Sequence, residues 1–426
     1  MASLIIELLS VKFSKTQSNK QGGYMKQRHF THSLLAVAIA TITSPSLASG
    51  LEQSSQSVAP FFEKGNYAEI SYAHVDPDIK GVDLMGQPID DMMDGFSFGS
   101  AAVKIAPTDD TAIAILYSEP WAINTQYPSG NFFANDLGVT SANLSSKNLT
   151  LLAGGKTKNN LWLYGGVSAE QIKADVNVAS YGDNPLYAMG FSSDPVMPVQ
   201  YSLHADKTDT ELAPVVGIAY EKPEIALRAS LTYRGETKYR TPVTERFVAP
   251  ALDAIGQGET IAPSSVSLTM PQSVSLDFQT GLSEKHRLLG MINARWVDWS
   301  AFSVTPTLYA QTIGSQTNGE PLAAYNKDGY AIEMALAREF TPKLAGEVRI
   351  GYDHGTGQPL SALGPYDAVK SVALGAQYKP VPQLAISGGV QYAWIDGGDI
   401  VHGGQTVAKI DDGNYIGYGM KLGYYF

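Results

Sequence analysis

The end of the chain alternates between two kinds of side chain. From Ile416 to Tyr424 every second residue is apolar, and the residues between them are glycine or lysine. Because successive side chains of a β-strand point to opposite faces, this alternation predicts a strand with one apolar face. The same period of two recurs at 225–234, 344–353 and 384–394. Such repetition predicts an all-β fold, in which the apolar faces meet either a protein core or lipid.

The lengths of the connections separate these two possibilities. Short turns such as Lys222–Pro223 and Thr341–Pro342 alternate strictly with long linkers such as Pro120–Ala142 and Ala174–Ala205. This sorting is typical of an outer-membrane barrel, whereas a soluble β-sandwich has no reason for it. We therefore predict an antiparallel transmembrane β-barrel of about 14 strands, with short periplasmic turns and long extracellular loops. The predicted strands are 66–76, 94–105, 111–119, 143–156, 160–173, 206–221, 224–240, 265–280, 287–300, 327–340, 343–354, 367–379, 383–395 and 413–426.

The N-terminal region has the layout of an export signal. Lys26 and Arg28 precede a short apolar run from Ser33 to Ile42, and Ser46–Ala48 supplies small residues for cleavage. The pattern predicts a cleaved secretory signal peptide, which is too short to span a membrane as a helix. The chain then divides into 1–24, an over-extended start or a genuine extension, 25–48, the signal peptide, 49–65, a short N-terminal segment, and 66–426, the barrel.

Composition excludes several classes of function. The net charge of −11 argues against a nucleic-acid partner, which would require a basic patch. The chain has no cysteine, so that disulfides, thiolate metal ligands and cysteine nucleophiles are excluded. The histidines show no metal-ligand spacing, and we expect neither a metal nor a cofactor. Gly95–Gly99 matches the pattern of a nucleophile elbow but lies inside a predicted strand, so we do not expect an enzyme.

Four stretches carry a more specific pattern. Thr269–Leu282 begins a strand with a proline, and Arg287–Phe302 places Trp296, Trp299 and Phe302 along the next strand. Tyr233 and Arg234 stand within Ala226–Arg240, and Ser118–Phe133 follows the predicted third strand. In this order, and across about residues 66–426, these stretches resemble the FadL/TodX family of outer-membrane transporters for long-chain fatty acids and aromatic hydrocarbons.

The resemblance implies a location and a mechanism. It implies the outer membrane of a Gram-negative bacterium, contact with outer-membrane lipid and lipopolysaccharide, and a monomer. The terminal Phe426 resembles the signal that barrel-assembly machinery recognises. The ligand, a fatty acid or another hydrophobic compound, is expected to bind at extracellular loops, enter a pocket in the lumen and leave sideways beside a kinked strand. The alternative is a general diffusion porin for small hydrophilic solutes.

Loop aromatics and lumenal arginines are the candidate ligand contacts. Exposed loops rich in methionine and aromatic residues favour an adaptable hydrophobic site, and arginines can bind a carboxylate. Alternatively, the loop residues pack on one another and the arginines belong to a structural network of charges. The predicted ligand-binding residues are Trp121, Tyr127, Phe132, Phe133, Leu186, Tyr187, Met189, Phe191, Met197, Arg234 and Arg295.

The N-terminal segment departs from the family pattern. Members of the family carry an N-terminal hatch of several tens of residues, with an asparagine-proline-alanine turn, that fills the barrel. Here only residues 49–65 precede the first predicted strand, and they lack that tripeptide. We therefore expect either a shortened plug, with Phe61 and Phe62 in the lumen, or a loop that takes its place.

Overall fold

The barrel strands occupy most of the chain. The computed structural model describes residues 50–206 and 208–426, so the predicted start at 1–24 and signal peptide at 25–48 lie outside the described residues. In that described part, no helix is both long and apolar enough to cross a membrane. The fourteen barrel strands are β1 (Tyr67–Asp78), β2 (Phe96–Thr108), β3 (Thr111–Ser118 and Ala122–Gln126), β4 (Ser141–Lys156), β5 (Leu161–Asp183), β6 (Val196–Ala205 and Glu211–Lys222), β7 (Leu227–Arg234 and Thr237–Val248), β8 (Glu259–Met270 and Ser273–Ser283), β9 (Leu288–Val297), β10 (Gly329–Thr341), β11 (Leu344–Asp353), β12 (Val369–Val381), β13 (Leu384–Ile395) and β14 (Gly413–Tyr425).

The sheet closes on itself. Each strand pairs antiparallel with the next, and β14 returns to β1 in a register that runs from Tyr425 opposite Tyr67 to Asn414 opposite Asp78. Closure gives every strand a partner on both sides, which satisfies the backbone donors and acceptors of a segment in lipid. The predicted antiparallel barrel of 14 strands is confirmed.

The outer face of the barrel is apolar and exposed. In β14 the exposed fractions of Ile416, Met420 and Leu422 are 53%, 58% and 45%. Such exposure would be unfavourable for the apolar face of a soluble sandwich, because burial of apolar surface is what stabilises that fold. Lipid is the environment that matches a continuous apolar outer face on a closed barrel.

Two predicted loops are largely strand. The region from Ala174 to Ala205 was expected to be a loop, but β5 continues to Asp183 and β6 begins at Val196. Likewise β7 continues to Val248 and β8 begins at Glu259, within the predicted linker Thr241–Ser264. These strands extend past the lipid band as paired ribbons, where neither face needs to be continuously apolar. The alternating sequence pattern therefore stops where the strand leaves the lipid, although the strand itself continues.

Smaller elements lie in the remaining connections. Loops from opposite ends of the chain pair to form a four-stranded sheet, with Gly81 opposite Ile410. Its strands are Gly81–Asp83, Pro88–Ile89, Gly398–His402 and Gln405–Ile410. Two short pairs join Ala134–Asn135 to Gly138–Val139 and Ser303–Val304 to Ala323–Ala324. The short helices are Ala59–Phe62, Pro185–Ala188, Pro223–Ile225, Pro250–Ile255, Trp299–Ala301, Thr307–Gln311 and Ile313–Gln316.

Candidate functional site

The lumen contains an apolar cavity of about 100 Å³ in the half of the barrel nearest the long loops, which we call the upper pocket. Strands β3 to β8 supply most of its wall, and the β9–β10 loop and the N-terminal segment contribute to it. Among the described residues of this wall, none is charged. The cavity can therefore hold an apolar molecule but offers no counter-ion to a carboxylate. Its apolar wall includes Ile172, Val176, Leu203, Val243, Leu268 and Phe302.

The β9–β10 loop covers one side of the upper pocket and is held in place by a buried carboxylate. Glu245 of β7 is fully buried and accepts hydrogen bonds from the backbone N–H groups of Leu308 (2.8 Å) and Tyr309 (3.1 Å). It also accepts one from the Tyr201 hydroxyl at 3.0 Å. The carboxylate thus accepts from N–H groups in the first turn of the helix Thr307–Gln311, which have no partner within the helix. The loop is thus fixed to the strands that form the pocket.

The N-terminal segment, residues 50–66, lies inside the barrel and contacts both halves of the lumen. Leu51 is part of the wall of the upper pocket, and the Tyr366 hydroxyl donates to the Gly50 carbonyl at 2.6 Å. Gly50 has a φ of +71°, and a Cβ there would lie 2.8 Å from Cε2 of Trp299. A larger residue at position 50 would therefore be strained and would displace the indole ring.

A buried ion pair joins this segment to the barrel wall. The Glu52 carboxylate, 1% exposed, accepts a hydrogen bond from Nε of Arg295 on β9 at 3.0 Å. Burial raises the pKa of the Glu52 carboxyl, and the Arg295 guanidinium opposes that shift. Arg295 also donates to the Ser275 hydroxyl at 2.8 Å. Removing either charge would leave the other buried without its partner, which is the costly outcome for such pairs.

The far end of the segment packs on aromatic side chains. Phe61 is fully buried, with ring centroids 5.7 Å from Trp162 and 5.3 Å from Tyr164, both on β5. Phe62 packs edge-on against Phe61 at 5.2 Å and lies under the Arg228 guanidinium. Both phenylalanines are therefore inside the barrel, in contact with its wall.

A second cavity of about 170 Å³, which we call the polar chamber, lies in the half of the lumen nearest the short turns. Its wall includes charged side chains of six strands, among them Arg228, Asp277, Glu333 and Lys421. Residues 54–60 of the N-terminal segment form another part of it. The polar chamber favours water and polar groups, because buried charges need partners. It therefore differs in chemistry from the upper pocket.

Strand β3 is interrupted beside the polar chamber. Its uppermost pair with β2 joins Tyr117 to Ala101, and Pro120, which has no N–H, follows three residues later. Beyond that pair the Gly99 N–H donates to the Glu119 carboxylate at 2.9 Å. The freed Pro120 carbonyl accepts from the Gln53 N–H at 2.8 Å. Thus the N-terminal segment, rather than β2, pairs with the interrupted stretch of β3.

Glu170 of β5 connects the interrupted strand β3 to strand β7 by hydrogen bonds. Its buried carboxylate accepts hydrogen bonds from Nε1 of Trp121 (2.9 Å) and Nδ2 of Asn148 (3.0 Å). The hydroxyls of Thr237 and Tyr239 on β7 also donate to it, both at 3.0 Å. Because Tyr239 belongs to the wall of the upper pocket, the cluster connects that pocket to the β3 interruption.

The predicted loop contacts lie in two places, neither on the wall of the upper pocket. Trp121, Phe133 and Tyr127 are buried: Trp121 packs on Trp299 at 5.5 Å, and Tyr127 stacks on Phe133 at 4.1 Å. Phe132 packs on Phe133 edge-on. These rings pack mainly on one another and on the loops, as the alternative interpretation of the sequence expected.

The other predicted loop residues form the tip of the β5–β6 ribbon. Tyr187, Met189 and Phe191 are exposed, and Phe191 retains 80% of its surface. Met197 is buried below them, with Leu186 packed against its cluster.

The predicted arginines, Arg234 and Arg295, line the polar chamber. Arg234 donates to the Thr150 hydroxyl at 3.1 Å and to the Gln56 carbonyl at 2.9 Å. Both arginines thus bind parts of the protein itself.

Sequence reasoning did not identify the aliphatic wall of the upper pocket. These residues occupy alternate positions in the upper parts of the strands, for example Ile172, Ala174 and Val176 of β5. The alternation was visible, but it does not distinguish a face toward lipid from a face toward the lumen. One signal could have identified this wall: the strand continues beyond the lipid band, and its apolar residues there face the lumen.

Comparisons with known proteins agree with this architecture. Residues 96–401 match the family described as outer membrane protein transport protein (OMPP1/FadL/TodX). No curated protein sequence matches the chain significantly. A FadL homologue of Pseudomonas aeruginosa superposes with a TM-score of 0.65 at 15% identity, over 92% of this chain and 97% of that one.

Two further solved structures share the fold. The P. putida toluene transporter TodX gives a TM-score of 0.63 at 12% identity, over 92% of this chain and 94% of its own. The Ralstonia pickettii toluene transporter TbuX gives 0.57 at 11% identity, over 86% and 90%. Identities this low show a shared fold, while the sequence match over most of the chain shows the family. The chain therefore belongs to the OMPP1/FadL/TodX family of outer membrane transport proteins, and its barrel resides in the outer membrane.

Proposed function

We propose that this barrel takes up small neutral hydrophobic compounds, which bind in the upper pocket and leave sideways beside the interruption of β3. The observation that carries the proposal is the uncharged, largely aliphatic wall of the upper pocket among the described residues. Transfer of apolar surface from water into such a wall is favourable by about 25 cal/mol per Å². A hydrophobic compound that reaches the lumen therefore partitions into this pocket rather than into the polar chamber.

The size of the upper pocket favours small compounds. Its volume of about 100 Å³ is of the same order as an engineered cavity of about 150 Å³ that binds benzene. A single ring or a short branched chain is the class of ligand that fits without rearrangement of the wall. Longer ligands require the β9–β10 loop or the N-terminal segment to move.

The exit route is supported by the position of the β3 interruption. The polar chamber is lined by Gly99–Ala102 of β2 and by Leu116–Ser118 of β3, on the two sides of the place where these strands separate. The N-terminal segment occupies that place through its contact with Pro120. In our proposal, displacement of this segment by ligand joins the upper pocket to the gap between β2 and β3.

Long-chain fatty acids are the second candidate ligand. An amphipathic molecule that spans both regions would place its chain in the upper pocket and its carboxylate in the polar chamber, near Arg228. Charge-assisted hydrogen bonds of this kind are strong. Arg234 and Arg295, which the sequence suggested for this role, are occupied by the N-terminal segment. A fatty acid would therefore need to displace that segment first.

Uptake measurements separate the candidates. We expect cells that express the gene to accumulate radiolabelled toluene faster than cells without it, and the purified protein to show little ionic conductance. Ala205→Phe, in the wall of the upper pocket, should fill the cavity and reduce uptake by about tenfold or more, because overpacking costs about 1–3 kcal/mol. Ile218→Phe places the same ring on the lipid-facing side of β6 and serves as the control.

The outcomes distinguish three functions. Toluene uptake that Ala205→Phe abolishes and Ile218→Phe preserves supports the upper pocket as the route. Gene-dependent uptake of oleate without uptake of toluene would select the fatty-acid alternative. Large steady conductance without uptake of either compound would contradict both and indicate a general diffusion porin.

A further inference from the structure

One hydroxyl in the wall of the upper pocket has no hydrogen-bond partner. Thr241 of β7 lines the pocket and is 5% exposed, and its Oγ1 is buried without a partner among the described residues. A buried polar group without a hydrogen bond destabilises the folded protein, because it has lost its contact with water and gained no partner in exchange. Native structures contain few such groups, so each calls for an explanation.

Four of the five other polar side chains of the same wall form hydrogen bonds within the protein. The Tyr239 hydroxyl donates to Glu170 at 3.0 Å, and the Thr208 hydroxyl accepts from the Ile172 N–H at 2.8 Å. Asn143 donates to the Asn124 side chain at 3.2 Å, and the Ser361 hydroxyl accepts from the Leu363 N–H at 3.3 Å. The free hydroxyl of Thr241 therefore differs from these neighbours.

A pocket for plain hydrocarbons would not need that hydroxyl. Valine has nearly the shape of threonine with a methyl group in place of the hydroxyl, and it occupies the next inward position of the same strand as Val243. Valine at position 241 would remove the cost of the unpaired oxygen and add apolar wall. The two γ positions of threonine exchange by rotation about χ1, so the side chain can present its hydroxyl to a molecule in the pocket.

We propose that Thr241 determines specificity by hydrogen bonding to a single polar group on an otherwise apolar ligand. The ligand class is then small neutral compounds with one hydroxyl or carbonyl oxygen, such as phenols, alcohols and ketones. A site that pairs a buried hydroxyl with ligand discriminates against an analogue that lacks the group, because the hydroxyl then stays unpaired. This inference rests on the proposed function, since it requires the upper pocket to be the ligand site.

The test compares two probes of nearly equal shape, toluene and phenol, by titration calorimetry of the full chain in detergent. Thr241→Val should weaken phenol binding by about fivefold or more and leave toluene binding equal or tighter, the fold-change expected from one neutral hydrogen bond. Thr241→Ser keeps the hydroxyl and should keep the wild-type ratio of the two dissociation constants. Thr244→Val is the matched control, because it makes the same change at an exposed position on the opposite face of the same strand.

The ratio of the dissociation constants for phenol and toluene tests the role of Thr241, and it does not depend on the overall stability of the variant. A ratio that shifts against phenol in Thr241→Val alone supports the role of Thr241. An unchanged ratio with measurable toluene binding overturns this inference and leaves the proposed function intact. If the wild-type protein binds neither compound, the upper pocket is not the ligand site, and the proposed function and this inference fail together.

Discussion

The two halves of the lumen are built from the same strands and have opposite chemistry. Strand β7 runs through both: Arg228 and Arg234 line the polar chamber, and beyond the break at residues 235–236 Tyr239 and Val243 line the upper pocket. Alternation along a strand decides which side chains face inward. Position along the strand decides whether they meet a polar or an apolar space. The difference shows that a barrel of this type can carry two environments without a second domain.

The N-terminal segment belongs to both environments. Leu51 contributes to the upper pocket, residues 54–60 line the polar chamber, and Phe61 packs on the wall nearest the short turns. The contrast between the two halves therefore depends on where this segment lies. In our account the segment separates them, and its displacement connects them. We propose it as a shortened plug.

The largest expected effect comes from removing the charge that holds the segment. Arg295→Ala leaves Glu52 buried without its partner, a loss of about 3–5 kcal/mol for such pairs. That free energy corresponds to more than about a hundredfold shift toward a displaced segment. Single-channel recording should then show conductance that the wild type lacks.

A double variant controls for the loss of the side chain. Glu52→Gln with Arg295→Gln removes both charges and keeps the possibility of a hydrogen bond, so that conductance should stay near the wild-type level. Unchanged conductance in Arg295→Ala would instead place the barrier to ions in the extracellular loops. The N-terminal segment would then not be what separates the two halves of the lumen.

The next effect concerns the aromatic anchor. Phe61→Ala removes a fully buried ring that packs on Trp162 and Tyr164, at a cost of about 3 kcal/mol for a core phenylalanine. Hydrogen exchange followed by mass spectrometry should show faster exchange in residues 51–62 while the strands stay protected. Phe62→Ala, at a half-buried position, should give a smaller increase. Equal exchange in all three proteins would mean that the ion pair alone holds the segment.

A smaller effect is expected at the cluster that links the upper pocket to β3. Glu170→Gln keeps the volume but offers only one acceptor oxygen to four donors, among them Trp121 and Tyr239. Loss of a hydrogen bond costs about 0.5–1.5 kcal/mol. The urea concentration at the midpoint of unfolding should fall, and the rate of toluene uptake should differ from that of the wild type. Glu211→Gln, directly opposite on β6, is the matched control and should leave both unchanged.

The smallest effect concerns how the stability of the four-stranded sheet that contains Gly398–His402 depends on pH. Burial lowers the pKa of His402, although Glu320 at 3.5 Å opposes that shift. The unfolded state therefore binds the proton more readily, and stability should fall as the pH drops below about 6.5, the pKa of an unperturbed histidine. Hydrogen exchange in the strand Gly398–His402 should increase between pH 7.5 and 5.5. His402→Asn should lose this increase, and an increase that persists would assign it to another group.

Much of the fold followed from the sequence because lipid imposes a strict pattern. The strand predicted at 413–426 is observed at Gly413–Tyr425, since its apolar face meets the membrane along its whole length. The predicted loop Ala174–Ala205 was wrong because β5 and β6 leave the lipid band and continue as a ribbon in water. In this ribbon the residue pattern depends on contacts with the partner strand and not on the membrane.

The site was less predictable than the fold. Composition drew attention to aromatic loops, yet Tyr127 and Phe133 pack on each other, and Phe191 is exposed at the ribbon tip. The upper pocket instead uses ordinary aliphatic residues such as Leu203 and Leu268, which only the closure of the barrel brings together. Whether the predicted loop residues contact ligand during its approach stays a prediction.

One measurement tests the central claim most directly. A crystal of the protein soaked with iodobenzene would reveal the ligand through the anomalous scattering of iodine. Our account predicts a single strong peak in the upper pocket, between Leu203, Val243 and Phe302. Iodine in the polar chamber, or only in the detergent around the barrel, would contradict the assignment of the upper pocket as the site that binds hydrophobic compounds.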